Sequence, residues 1–296
     1  MRVLVFGANG MLGHKVYQEF DSRFDTWGTI RGSIKSWQHV PFFRQDKIVE
    51  NVEASSRKSI IYALDRVQPQ VVVNCIGIVK KLEESESPVS AITVNALFPH
   101  WLAELCQERG IRLIHISTDC VFSGKVGNYS ENALPDPYDL YGRTKLLGEV
   151  SGKNCLTLRT SIIGRELKRT VGLLEWFLSQ NGKTVQGYRY AIFSGFITSE
   201  LAFILAEIVS HHRELYGVYH ISSEPISKYD LLNMIKEALN LKITINEYTG
   251  LFVDRSLNSE KIRGILKYRP PTWEEMIRRL AAEVDIYEEW RRGCGK

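Results

Sequence analysis

Short apolar runs alternate with longer stretches of helical periodicity through the first half of the chain. Arg2–Phe6 is rich in β-branched and aromatic side chains, the composition of a strand buried on both faces. Helical spacing follows from about Met11 to Phe20, and Asp25–Ile30 reads as a second strand. Ser59–Val67 predicts a helix that Pro69 stops, because proline cannot continue the hydrogen-bond ladder. Gln70–Cys75 predicts a buried strand, and Ser87–Arg109 a long helix closed by Gly110. Arg112–Ser117 then reads as strand, Tyr141–Glu149 as helix and Cys155–Arg159 as strand. Doubly buried strands alternating with amphipathic helices predict a parallel sheet covered on both faces.

The rhythm changes after about Ile163. Glu166–Asn181 reads as helix, Ser199–Ser210 as a long apolar helix and Gly217–Ser222 as an alternating strand. Ser227–Leu239 predicts a helix capped by Ser227, and Thr272–Val284 a terminal amphipathic helix. No internal repeat or low-complexity linker marks a boundary. The expectation is a first unit over residues 1–162, completed by parts of about 191–222, and a smaller α/β lobe drawn mainly from 163–296.

Composition narrows this picture only slightly. At 296 residues the chain can bury a large core, and its net charge of +4 does not by itself call for nucleic acid. Its five cysteines (Cys75, Cys106, Cys120, Cys155 and Cys294) are scattered and form no Cys-x-x-Cys pair. Reduced thiols are expected rather than disulfides or structural zinc. No run approaches the ~18 apolar residues of a membrane span. The start is too short for a signal peptide. A cytoplasmic chain without membrane or nucleic-acid partners is expected.

Candidate chemistry sits in three segments. Gly7-Ala-Asn9-Gly10-Met11-Leu12-Gly13 lies between a predicted buried strand and a helix. Glycine there lets the backbone turn tightly and approach a pyrophosphate, and the helix start offers free N–H groups. That context makes the fold a Rossmann-type doubly wound α/β sheet. The second strand ends in Thr29-Ile30-Arg31-Gly32-Ser33, with Lys35 beyond and no carboxylate among them. A basic residue there suits the 2′-phosphate of NADPH, with NADH left open. The alternative reading is that Arg31 is a solvated loop residue or merely stacks on the adenine.

Tyr141 and Lys145 lie four apart, one helical turn. A free phenol titrates near ~10, so a neighbouring ammonium is expected to lower that value toward the working range. Thr118 follows a strand, and its hydroxyl can hold a carbonyl oxygen as charge develops there. A Tyr-x-x-x-Lys pair alone is common by chance. Set between a glycine turn and Thr118, it points to hydride chemistry at a carbonyl.

These segments, with Val73-Asn74, Ser117-Thr118-Asp119-Cys120-Val121-Phe122, Tyr141-Gly142-x-x-Lys145-x-x-Gly148-Glu149 and Arg159-Thr160-Ser161, resemble the extended short-chain dehydrogenase/reductases. The branch most resembled is the dTDP-4-dehydrorhamnose reductases. The likeness thins after Ser161, where Gly217-Val-Tyr-His220 and Leu257–Lys261 still look similar. It implies reduction of a nucleoside-diphosphate-linked 4-keto-6-deoxy sugar, used in surface polysaccharide or deoxysugar synthesis. Tyr141 would give the proton, with Lys145 and Thr118 assisting and Asp119 in support. The candidate cofactor contacts are Gly7, Asn9, Gly10, Met11, Leu12, Gly13, Arg31, Asn74, Cys75, Ser117, Tyr141 and Lys145. The chain departs from the family at Cys120, where tyrosine is usual, and over Phe252–Leu257. Cys120, Phe122, Arg189 and Arg255 are the candidate substrate contacts, the arginines for a diphosphate. No catalytic metal is expected, and a homodimer is left open. An epimerase or dehydratase on this scaffold, or a non-catalytic regulatory subunit, are the alternative readings.

Overall fold

A computed structural model describes residues 1–78, 87–168 and 171–292. The first half runs β1 (Arg2–Phe6), α1 (Gly13–Asp21), β2 (Asp25–Thr29), β3 (Ile48–Val49), α2 (Arg57–Val67) and β4 (Val71–Asn74). Next come α3 (Pro88–Ala91), α4 (Phe98–Glu108), β5 (Arg112–Thr118), α5 (Leu140–Leu147) and β6 (Cys155–Thr160). Seven parallel strands form the main sheet, in the order β3-β2-β1-β4-β5-β6 with β10 (Gly217–His220) beyond β6. The order reverses between β1 and β4, which opens a crevice at the carboxyl ends of those strands.

Burial explains why the strands carry no polar alternation. Val3 and Val5 of β1 face one apolar layer with Val16 and Phe20 of α1. Leu4 and Phe6 point the other way, into a layer with Ile60 and Leu64 of α2 and Leu102 of α4. Successive side chains of a strand point to opposite faces, and here both faces are core.

The long helix expected over Ser87–Arg109 is interrupted. Ile92–Leu97 between α3 and α4 is π-helical, and Phe98 donates its N–H to the carbonyl of Thr93. Pro99 lacks the N–H that would bond Asn95 in an α-helix, so the ladder steps over that position.

The second half runs β7 (Ile162–Ile163), α6 (Leu173–Leu178), β8 (Thr184–Phe193), β9 (Phe196–Ile197), α7 (Thr198–His211) and then β10. It continues with β11 (Ile226–Ser227), α8 (Lys228–Ala238), β12 (Thr244–Asp254), α9 (Glu260–Leu266), α10 (Trp273–Ala282) and α11 (Val284–Arg292). Strands β11, β8 and β12 form a small sheet packed on α8, and β7 pairs with β9. Side chains of α7, among them Leu201 and Leu205, join Val16 and Phe20 of α1 in one apolar layer under the main sheet.

The helix expected over Glu166–Asn181 is corrected to the shorter α6; residues 169–170 of that span lie outside the described residues. Its first part is held irregular by side chains. Glu166 accepts the N–H of Val171, and a Cβ on Gly172 would stand 2.5 Å from Cε of Met11. Strands β8 and β12, absent from the sequence prediction, show why: β12 is exposed or half-buried along its whole length.

Candidate active site

The turn after β1 is built by close approach. Gly7 takes a left-handed φ of +79°, and a Cβ on Gly13 would lie 2.0 Å from the Gly7 carbonyl oxygen. Gly10 closes the turn by donating its N–H to that same oxygen at 2.9 Å. Helix α1 starts at Gly13 rather than Met11, and the Leu12 side of its start carries no side-chain cap. The His14 N–H bonds the Gly10 carbonyl at 3.1 Å, and no side chain caps the rest of the helix start, the end of a helix that favours an anion. Gly7 and Ala8 are tied to the end of β2 through Thr29, at 3.1 and 2.9 Å.

Arg31 lies exposed beyond β2, next to Gly32 at φ +80°. The loop also has a carboxylate that local sequence reading missed. Glu50, just past β3, accepts from the Ser33 hydroxyl at 2.8 Å and from the Ile34 N–H, and those bonds hold its pKa low. A cavity of about 650 Å³ adjoins this loop, lined by Ile34, Glu50, Asn51, Lys58 and Arg66 among others.

Across the switch point the ends of β4 and β5 contribute. Asn74 is fully buried, accepting from Ile76 N–H and bonded to His115. The neighbouring Cys75 thiol is pushed up to about 12 by burial. Thr118 donates to Asp119 at 3.1 Å and accepts the N–H of Cys120 at 3.2 Å. Burial raises the Asp119 carboxyl, with Arg255 pulling the other way.

Helix α5 delivers Tyr141 and Lys145 to this edge. Asp139 caps it by accepting the Gly142 N–H at 2.8 Å. Gly142 is required by proximity, because a Cβ there would stand 2.3 Å from the Cys120 carbonyl oxygen. The Tyr141 phenol hydrogen-bonds Thr118, so phenol and hydroxyl meet at one point. Lys145 is buried and donates to the Ile116 carbonyl at 2.7 Å.

The expected lowering of the phenol pKa is corrected. Burial raises Tyr141 well above the usual phenol range, with Cys120 adding to it and the Thr118 bond opposing. The same burial lowers Lys145 to about 8, opposed by Glu149 and Cys75. Desolvation is the largest influence on each of the two groups.

Two substrate candidates are also corrected. Phe122 is fully buried, stacked on Tyr129 at 4.2 Å and lying under the Arg159 guanidinium. It is a core ring whose carbonyl accepts Arg255 Nε at 2.8 Å. Arg189 has its fork occupied by Asp230 and Glu247, at 2.8 and 2.6 Å. Arg255, by contrast, lies beside Asp119, bonded to Tyr138 at 3.0 Å. Cys120 is half-buried next to Tyr141.

Sequence reading missed two further residues. Asn95, in the π-helical segment, clamps the backbone of Ile78 through its amide at 2.9 and 3.1 Å and reaches Thr144 at 3.4 Å. The only signal was Pro99 four residues later. Lys228, the first residue of α8, faces Asp119 electrostatically.

Cys75, Cys106, Cys120 and Cys155 are free thiols, and Cys294 lies outside the described residues. Among the described residues no cluster could hold a metal ion, and no helix is long and apolar enough to cross a membrane.

Residues 1–286 match the family model described as RmlD substrate binding domain. The chain is 28% identical to methionine adenosyltransferase 2 subunit beta of Danio rerio, over 81% of this chain and 74% of that one. It is 27% identical to dTDP-4-dehydrorhamnose reductase of Aggregatibacter actinomycetemcomitans, over 79% of this chain and 88% of the relative. Among solved structures, the dTDP-4-dehydrorhamnose reductase of Bacillus anthracis in complex with NADP superposes with a TM-score of 0.78. That pair is 22% identical, and the match covers 96% of this chain and 99% of the other.

Proposed function

Because the chain belongs to the RmlD substrate binding domain family, we propose that it is an NADPH-dependent reductase of a nucleoside-diphosphate-linked 4-keto-6-deoxy sugar, working in the cytoplasm. The observation that carries this reading is the meeting of Tyr141 and Thr118 at the carboxyl edge of the sheet, with Lys145 one turn further along α5. The dTDP-4-dehydrorhamnose reductase among its relatives supports the substrate class.

The residues fit a dinucleotide. The turn at Gly7 and Gly13 is a cradle that any Cβ would fill, and the bare start of α1 faces it. Gly7, Asn9, Gly10, Met11, Leu12 and Gly13 would hold the pyrophosphate. Arg31 would meet the 2′-phosphate. Asn74, Cys75, Ser117, Tyr141 and Lys145 would line the nicotinamide end. When bound, the nicotinamide supplies the hydride.

The chain's own groups handle the proton. Burial keeps Tyr141 a phenol at neutral pH, so it enters as donor to the oxygen that develops charge. Thr118 offers that oxygen a second hydroxyl. Once the phenol gives up its proton, the phenolate stands one turn from Lys145, a cation below about 8. The ammonium thus acts on the charged state that forms, not on the resting phenol. Arg255 is placed on the diphosphate side in preference to Arg189, since it stands beside Asp119. We assign β8, β11, β12 and α8 to the substrate lobe and the seven-stranded sheet to the cofactor.

A second reading, a non-catalytic subunit, is favoured by the name methionine adenosyltransferase 2 subunit beta, which five relatives share. The intact Thr118, Tyr141 and Lys145 favour catalysis. The deciding experiment follows NADPH absorbance against dTDP-, UDP- and GDP-linked 4-ketohexoses. Turnover is expected with at least one of them, and Tyr141→Phe should lower kcat about a thousandfold while NADPH still binds. Normal turnover by that variant would overturn the mechanism, and no turnover with any sugar would favour the subunit reading.

A further inference from the structure

Behind the catalytic edge lies a buried ion pair to which the proposed reaction gives no part. Glu149, one turn past Lys145, accepts Arg159 Nε at 2.8 Å and Nη2 at 2.7 Å, a bidentate fork. Both side chains are under a tenth exposed. The same Glu149 oxygen that meets Nε accepts the Ser117 hydroxyl at 2.7 Å. Arg159 Nη1 continues to His220 Nε2 at 3.2 Å, and His220 Nδ1 donates to the Tyr129 carbonyl at 2.9 Å.

Three consecutive residues of β5 are thereby gripped in turn. Lys145 holds the Ile116 carbonyl, Glu149 holds the Ser117 hydroxyl, and Thr118 meets Tyr141. We propose that Glu149, locked by the fork of Arg159, is a positioning residue that sets its carboxylate one turn from the Lys145 ammonium and holds Ser117 in line so that Thr118 meets the phenol. This deepens the reductase reading and rests on it for its catalytic consequence.

The charges around Lys145 are few. Glu149 faces it from just past α5, Cys75 from just past β4 and His115 from β5. Arg159 on β6 and His220 on β10 act on it through Glu149. Burial pulls Lys145 down, His115 is pushed well below its usual range and stays neutral, and the Cys75 thiol is likewise uncharged. Glu149 is thus the carboxylate that opposes desolvation of the ammonium. A neutral replacement lets the lysine titrate lower; loss of Arg159 removes a cation and leaves the anion less compensated, so the lysine titrates higher.

That opposition of sign makes the test. The Lys145 Cε resonance would be titrated in ¹³C-lysine-labelled protein, assigned by its loss in Lys145→Met, and compared with the alkaline limb of kcat. Glu149→Gln keeps the shape and the Ser117 bond; its lysine titration and its alkaline limb are expected to move down together by about one pH unit, a tenfold change in the ammonium equilibrium. Arg159→Met is expected to move the lysine upward, and Arg159→Lys to restore it. The NMR readout needs no turnover, so it stands even if the substrate assignment fails. An unmoved lysine in folded Glu149→Gln, or shifts of the same sign in Glu149→Gln and Arg159→Met, would overturn the proposal. Should Arg159→Met not fold, Glu149→Gln and Arg159→Lys decide alone.

Discussion

A phenol that burial keeps protonated and an ammonium that burial weakens stand on one face of α5, which reaches the sheet only because its third residue after the cap is glycine. Adding a methyl at Gly142 brings carbon within 2.3 Å of the Cys120 carbonyl and 2.8 Å of Pro137 Cβ. Gly142→Ala should therefore push α5 off the turn at Thr118–Cys120. We expect a stability loss of about 1–3 kcal/mol in urea melts and a fall in kcat of more than tenfold. Wild-type kcat would show that the contact yields at no functional cost. At this scale the sequence was informative where spacing along the chain equals geometry. Tyr141 and Lys145 share a face because four residues make a turn. It was silent where partners come from afar. Arg189 finds its carboxylates 41 and 58 residues away, and Phe122 is covered by Tyr129, Arg159 and His220. The phenol's titration was misjudged for a related reason, since burial depends on everything packed around it.

Elements were legible in proportion to how far burial decided their composition. Strands β1, β4, β5 and β6 are covered on both faces and read directly as apolar runs. Strand β12 pairs with β8 through backbone bonds while most of its side chains meet solvent, so no hydrophobic period betrays it. Helix α10 shows the opposite case, a start written in its own residues. Thr272 accepts the Glu275 N–H at 3.3 Å, and the Glu275 carboxylate accepts the Thr272 N–H at 2.8 Å. Thr272→Ala should cost about 1 kcal/mol of stability, read by chemical melts, and leave NADPH affinity unchanged because α10 takes no part in the site. A parallel loss of cofactor affinity would show instead that α10 supports the glycine turn.

At the scale of the whole molecule, α11 returns to the beginning of the chain. Tyr287 hydrogen-bonds His14, Glu283 pairs with Lys15 at 2.9 Å, and Glu288 pairs with the fully buried Arg165. His14 also donates from Nδ1 to the Gly10 carbonyl at 2.7 Å, so the glycine turn and the last described helix share one imidazole. Burial lowers that imidazole from 6.5 to about 3. The unfolded chain then binds the proton more readily, so His14 contributes its full stability above pH 6.5 and loses it as pH falls toward 3. Between pH 6.5 and roughly 5 the loss should be about 2 kcal/mol. Urea melts at the two pH values should show that increment in the wild type and not in His14→Gln; equal losses in both would assign the acid sensitivity elsewhere.

The place of β10 at the far edge of the parallel sheet has a consequence for how the chain is made. When the ribosome has delivered residue 162, β6 exists but the strand that will cover its edge does not, nor does α7 that will cover its face. Unpaired amides and bare apolar surface wait there while β8 and its neighbours are still being synthesised. A chain cut short before Gly217 would lack the strand that covers the β6 edge, and that open edge is a ready template for pairing with another chain.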